Sequence, residues 1–425
     1  MNKLLVHPNK RYLMQENGEP FFYLADTAWS LFQKLSADEV DYYMSVRADQ
    51  GFNVIQAVAL AETDGLATPN VYGRTPLKKI NGVYDPTTPD TDGNSYWNHV
   101  DYTIKTAEKY GLYIAFLPTW GDKFHKGGGI GPEIFTPENA YIYGKWIAER
   151  YCNFTNIIWM LGGDRPLEER HVEIIDAMAK GIKESDNNHL ITFHPCGFAS
   201  SVDYLKNKDY LDFHTNQSSH DTGCYQSWKL LRRVAEEEEK PFMDSEPRYE
   251  DHPACFTADY KYLWNADDGR QNTYWNIMEG ACGHTYGNHA VWPFNRNPTP
   301  YFPYRWEEVM RHDGANQVHL VKELRLSRPY FEFRSAPELV ADDSAIMAHQ
   351  CAGRGEKYAF IYSPLGQPIR AYLQHFKCRA IKATWFDPRT GEKNEFAIVP
   401  AAEALFVPPT AGKGCDWILI LDVMG

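Results

Sequence analysis

From about residue 20 to residue 330, short apolar runs alternate with longer amphipathic stretches. Antiparallel strands can be joined by a tight hairpin, but parallel strands need a crossover of a dozen residues or more, usually a helix. The spacing therefore predicts consecutive parallel βαβ units. Eight strands are expected, at residues 21–25, 53–58, 113–117, 157–161, 190–193, 211–214, 241–244 and 283–286. Their Val, Ile, Leu and Phe content suits strands covered on both faces. Helices are expected at 37–50, 96–110, 138–152, 167–185, 226–239 and 257–281. Ser36-Ala-Asp-Glu39 has the pattern of a capping box, and Gly111 suits a helix C-terminus. Eight such units predict a (β/α)8 TIM barrel of the α/β class.

Past Pro337 the helical period disappears. Strand-like runs at 345–352, 358–362, 369–373, 381–386 and 417–421 are separated by turn signals such as Asp387-Pro-Arg-Thr-Gly391. A small antiparallel β-sandwich is expected there, which divides the chain into residues 1–336 and 337–425.

Charge narrows the partners. The net charge is −13, and no run is rich in Lys or Arg, so neither nucleic acid nor an anionic membrane is an expected partner. No apolar stretch is long enough to span a bilayer. The polar start, Met1 to Tyr12, has no apolar signal segment, so the expected location is cytoplasmic. Eight scattered cysteines without a CxxC pair fit reduced thiols. Aromatic residues reach 14%, with 12 Trp and 27 Tyr. Part of that excess is core; part suits a cleft in which sugar rings stack on aromatic faces.

Barrel enzymes carry their chemistry just past the C-terminal strand ends. Two carboxylates stand there on opposite sides of the mouth: Asp164 after the fourth strand and Glu246 after the seventh. Such a pair can protonate a glycosidic oxygen and attack the anomeric carbon. Substrate-binding candidates are Asp26, Trp29, Gln56, Trp120, Arg165, His194, Asn216, Tyr249, Tyr286, His289 and Trp292. Asp26 also fits a helix cap, and Asp244, two residues before Glu246, reads as a buried hydrogen-bonding residue. The tryptophans offer stacking faces, and the polar groups offer partners for hydroxyls.

Three other classes compete. His194, His214, His284 and His289 near strand ends could build a metal site. However, the first strand lacks the His-x-His pair of metal-dependent barrel hydrolases, and HExxH is absent, so no metal or other cofactor is expected. A phosphate-binding barrel wants its glycine-rich loop after strands seven or eight. Here Gly127-Gly-Gly129 follows strand three. A carbohydrate-binding barrel without catalysis is the remaining alternative, and retention of both carboxylates weighs against it.

Seven stretches carry a family resemblance: Leu24-Ala-Asp-Thr-Ala-Trp29, Gly51-Phe-Asn-Val-Ile-Gln56, Tyr72-Gly-Arg-Thr-Pro76, Leu117-Pro-Thr-Trp-Gly121, Ile158-Trp-Met-Leu-Gly-Gly-Asp164, Asp244-Ser-Glu-Pro-Arg-Tyr-Glu250 and Gly283-His-Thr-Tyr-Gly-Asn-His289. In this order they resemble the barrel family first catalogued as domain of unknown function 4038, which includes the apiosidases of glycoside hydrolase family 140. The tail resembles the domain labelled collagen-binding that often follows this barrel. The resemblance implies a retaining glycoside hydrolase acting on plant-type oligosaccharides or glycosides, apiosides among them. It implies that Asp164 is the acid/base and Glu246 the nucleophile. One departure from related retaining barrels stands out. They carry Asn-Glu after strand four, where this chain has Gly163-Asp164. The Asn that binds the sugar 2-hydroxyl is thus missing, which implies either an unusual sugar geometry, such as branched apiose, or a partner borrowed from Asn216 or Gln56.

Overall fold

The computed structural model describes residues 1–222, 226–341 and 346–424. Eight parallel strands surround a common core: β1 (Tyr23–Thr27), β2 (Val54–Leu60), β3 (Tyr113–Thr119), β4 (Ile157–Gly162), β5 (Ile191–His194), β6 (His214–Asn216), β7 (Phe242–Asp244) and β8 (Gly283–Tyr286). The hydrogen-bonded order is β5-β4-β3-β2-β1-β8-β7-β6. Between β5 and β6 the ring is closed by isolated bonds. Asp212 N donates to Ile191 O at 2.8 Å, Thr192 Oγ1 donates to Phe213 O at 2.7 Å, and Thr215 Oγ1 donates to Phe193 O. The threonine hydroxyls thus satisfy carbonyls that the short sixth strand leaves open. A three-stranded sheet (Leu4–Val6, Leu13–Gln15, Pro20–Phe21) lies at the end away from the strand C-termini, with Phe21 edge-on to Tyr113 at 5.2 Å.

The expected strands form, with two shifts. The sixth is His214–Asn216 where 211–214 was expected. The first begins at Tyr23, because Pro20–Phe21 pairs with Leu13–Gln15 instead, and runs on to Thr27. Asp26 therefore lies inside β1, and alternation decides its direction. Tyr23 and Thr27 face inward, where they meet Gln56, while Asp26 faces the helix Ala37–Asp49. That helix starts on the expected capping box: Ser36 Oγ accepts from Glu39 N, and Glu39 Oε2 accepts from Ser36 N.

The helix expected over 257–281 is shorter. Lys261 takes a left-handed conformation at φ 50°, and Asn265 caps a new start by accepting from the amides of Asp267 and Asp268. The helix is Ala266–Met278. The strand expected at 345–352 is also corrected: Ala345 lies outside the described residues, Ile346–Ala348 is a 3-10 turn, and the strand is Cys351–Arg354.

The tail folds as a six-stranded antiparallel sheet with a two-stranded ribbon, Ile369–Tyr372 and Glu403–Phe406. Period-two alternation gives the sheet two buried faces. Tyr358, Phe360, Tyr362, Ile418 and Ile420 join the barrel's apolar core. Ala359, Ile361, Ile381, Leu419 and Leu421 fill a second core within the tail. Arg270 on the helix Ala266–Met278 pairs with Asp416 at 2.7 Å, both nearly buried, and Tyr274 stacks on Tyr362 at 5.2 Å. The tail is thus packed onto the barrel through both apolar and ionic contacts. Among the described residues no helix is long and apolar enough to cross a membrane. Among the described residues no disulfide joins the cysteines; Cys224 lies outside them.

Candidate active site

The C-terminal strand ends surround an open cleft of about 250 Å³. Glu246 sits two residues beyond β7 and is 8% exposed. His194 Nε2 donates to Glu246 Oε2 at 2.8 Å, and His220 Nε2 donates to Oε1 at 3.1 Å. His194 is held in turn by Ser245 Oγ, 2.9 Å from its Nδ1. Burial alone would raise the Glu246 carboxyl, but the two imidazole donors outweigh it and hold the group well below the usual carboxylate range.

Asp164 is built differently. Gly162, Gly163 and Asp164 follow one another with φ of 92°, 125° and 54°. Left-handed backbone is costly for most side chains and least so for Gly, Asn and Asp. A Cβ on Gly163 would lie 2.6 Å from Gly121 N, so no asparagine fits there. The missing Asn of the Asn-Glu pair is therefore a consequence of this close backbone approach. Asp164 receives a hydrogen bond from Gln217 and another from Arg165 Nη1, which lies 3.2 Å from Oδ2. Burial and the neighbouring Glu246 charge push the Asp164 carboxyl up, against His194 and Arg165. At 34% exposure cleft water moderates that rise, and a sugar occupying the cleft would displace the water.

A third carboxylate completes the group. Glu62, just past β2, lies 3.5 Å from Arg165 Nη2. Burial and the Asp164 charge push it up to about 7. Arg165 is thus shared between Glu62 and Asp164. The glycine run packs on it: a Cβ at Gly129 would lie 2.7 Å from Arg165 Nη2. Gly127 and Gly129 thus leave room for the Arg165 side chain.

Aromatic rings line the remaining wall. Trp29, Trp120, Tyr249, His252, Phe256, His289, Trp292 and Tyr301 all face the cleft. Trp29 and Trp120 lean together at 5.1 Å over His194. Among the described residues Trp120 Nε1, His289 Nδ1 and Gln217 Oε1 are buried without a protein partner. Such groups cost about 1–3 kcal/mol each if left unpaired, and sugar hydroxyls are suitable partners. Burial pushes His289 down to about 3, so it is neutral.

Of the residues expected to bind substrate, Trp29, Trp120, Tyr249, His289 and Trp292 line the cleft. His194 and Arg165 act from behind its wall through Glu246 and Asp164. Asp26, Gln56, Asn216 and Tyr286 do not reach it. Asp26 is fully buried, 2.6 Å from Arg47 Nε and 2.5 Å from Tyr43 OH. Tyr286 is its register partner on β8 and donates to Glu250 at 2.5 Å. Gln56 faces inward one layer below the site, where its Nε2 donates to Ser245 O at 3.0 Å. Asn216 is buried, and its carbonyl accepts from Ser245 N and Oγ. Asp244 is held by Ser218 N, Glu246 N and Asn276 Nδ2, and burial pushes it up to about 6.

Ser219, His220, His252, Phe256 and Tyr301 were not singled out from the sequence, and Glu62 and Gln217, though they stand just past their strands, were not among the expected substrate-binding residues. The signal for Glu62 was its place just past β2; His220 lies four residues beyond β6 with no motif around it. The four histidines weighed as metal ligands do not converge. His214 turns to Ser201 and Glu238, and His284 to Thr273. Among the described residues no group of three or more His, Cys, Asp or Glu is arranged to hold a metal ion.

Residues 7–332 match the family described as "Apiosidase-like, catalytic domain", and residues 336–422 match one described as "Putative collagen-binding domain of a collagenase". Among solved structures, a glycoside hydrolase family 5 protein from Bacteroides vulgatus ATCC 8482 is 30% identical, with a TM-score of 0.91 over 99% of this chain and 93% of that one. Another, described as a glycoside hydrolase, is also 30% identical, with a TM-score of 0.91 over 99% of this chain and 97% of that one. No curated protein matches the chain.

Proposed function

The chain belongs to the apiosidase-like family of barrel glycoside hydrolases, and from that premise we propose that it cleaves plant-type oligosaccharides or glycosides with retention of configuration, Asp164 serving as acid/base and Glu246 as nucleophile. The observation that carries this reading is the opposite push on two facing carboxyls. His194 and His220 favour the ionised form of Glu246, while burial and the Glu246 charge favour the protonated form of Asp164. A pair split in this way divides the roles of base and acid between two like groups.

In the first step Glu246 attacks the anomeric carbon as Asp164 gives its proton to the departing glycosidic oxygen. The C–O bond to the leaving group breaks and a glycosyl ester on Glu246 forms. That ester removes the negative charge beside Asp164, which lowers its proton affinity and suits its second role as base. Asp164 then takes a proton from water while the water oxygen attacks the anomeric carbon and frees Glu246. Trp120 and Trp292 are placed to stack on sugar, and Gln217 and His289 to bind its hydroxyls. Apiosides are the first substrates to try, on the strength of the family.

Proton NMR of the first product formed tests the stereochemistry. Release of the same anomer as the substrate supports a covalent intermediate on Glu246. Release of the opposite anomer would remove that role and leave Glu246 as a base for water.

A further inference from the structure

A second hollow opens beside the catalytic cleft, and the two share Trp292. Two further chain segments cross the boundary between them. Glu62 lines the cleft and Thr63 the hollow; Tyr301 lines the cleft and Phe302 the hollow. The two spaces are therefore halves of one groove. Phe302 is held flat against His289 of the cleft, with centroids 4.2 Å apart and planes at 7°.

The loop that forms the hollow is pinned rather than draped. Arg296 donates to both carboxylate oxygens of Glu39, at 2.7 and 3.0 Å, and to Lys34 O at 3.0 Å. Asn295 Nδ2 donates to Tyr304 O at 2.6 Å. Two half-buried aromatic rings thus stand among polar groups of Thr63, Asn297 and Lys34. Flat apolar faces ringed by hydrogen-bonding groups suit a sugar ring, which is apolar on its face and hydroxylated at its edge. A fixed site also loses little freedom when a ligand binds.

We propose that this hollow is a second sugar-binding subsite, so that the preferred substrate is an oligosaccharide whose adjoining rings lie on either side of Trp292. The proposal rests on the glycosidase reading of the neighbouring cleft. It assigns Phe302 and Lys34 to recognition of the second ring and leaves the chemistry to Asp164 and Glu246.

The test uses the full chain and substrates that share one terminal sugar: an aryl monoglycoside, a disaccharide and a trisaccharide. Wild type is compared with Phe302→Ala and Lys34→Ala. Phe302→Ala should lower kcat/KM on the trisaccharide about tenfold and leave the aryl glycoside within about twofold, the scale of a lost ring contact. Lys34→Ala, which does not touch His289, should show the same selectivity to a smaller degree. Equal losses on short and long substrates, or none on either, would overturn the subsite. If wild type cleaves nothing, the glycosidase reading fails separately, and the subsite is judged by tryptophan fluorescence titration with the same sugars. Tighter binding of the longer chain, abolished by Phe302→Ala, then supports it; affinity independent of chain length overturns it.

Discussion

Asp26 belongs to a stretch that the sequence ties to substrate, yet the structure gives it another task. Its carboxylate and the Arg47 guanidinium are both fully buried, 2.6 Å apart, with Tyr43 OH as a further donor. Arg47 also donates to Gln50 and Met310 O and lies against the rings of Tyr43, Phe52 and Tyr286. Asp26→Asn keeps the shape and removes the charge, which leaves a buried cation without its counterion. Breaking such a pair from one side costs about 3–5 kcal/mol, a large share of the stability of a typical domain. Urea denaturation should show that loss, while KM on any cleaved glycoside should stay within about twofold below the transition. Replacing both partners, Asp26→Leu with Arg47→Met, should recover most of the stability, because apolar substitutes avoid the desolvation penalty. Unchanged stability with a KM raised tenfold or more would refute the reasoning and return Asp26 to the substrate.

Other outcomes follow from the cleft. The kcat/KM profile should be bell-shaped: activity rises with pH through the depressed Glu246 ionisation and falls as the raised Asp164 loses its proton. Glu62→Gln removes a charge that offsets Arg165, so the alkaline limb should move to lower pH; an unmoved limb would show that Glu62 does not act on the acid. Asp164→Asn should cleave aryl glycosides with good leaving groups far better than natural ones, and equal loss on both would exclude Asp164 as acid. Because the folded state favours protonated Asp164, its contribution to stability falls as pH rises through the window above the usual carboxylate value, so Asp164→Asn should melt no lower than wild type at pH 7. Gly163→Ala places a Cβ 2.6 Å from Gly121 N at a φ of 125°; strain of about 1–3 kcal/mol should appear in denaturation, with activity reduced on the order of 100-fold as Asp164 is displaced.

The barrel was legible because its signal is repeated. Each apolar run and its amphipathic follower states the same geometry, and the shifts of the first and sixth strands, by two and three residues, leave the others in place. Asp164 and Glu246 were legible because strand ends locate barrel chemistry. Side-chain direction was harder to read. Asp26 and Tyr286 stand at register-matched positions near the barrel mouth, yet both face outward to Arg47. Their direction follows from where the strands end: β1 runs on to Thr27 and β8 to Tyr286, so alternation turns both side chains away from the barrel interior. His220 and Phe256 reach the cleft from irregular segments that have no period to betray them. The ribbon strand Glu403–Phe406 and the edge strand Lys393–Pro400 were missed because their apolar residues do not mark a buried face: Phe396, Ile398 and Leu405 are exposed.

Sugar release from a panel of plant-derived oligosaccharides and glycosides, apiosides included, by wild type beside Glu246→Gln tests the central claim most directly. Release by wild type and its loss in the variant is the predicted result, and the sugar set free names the specificity. Equal release by both proteins would contradict the assignment of Glu246 as nucleophile and with it the proposed mechanism.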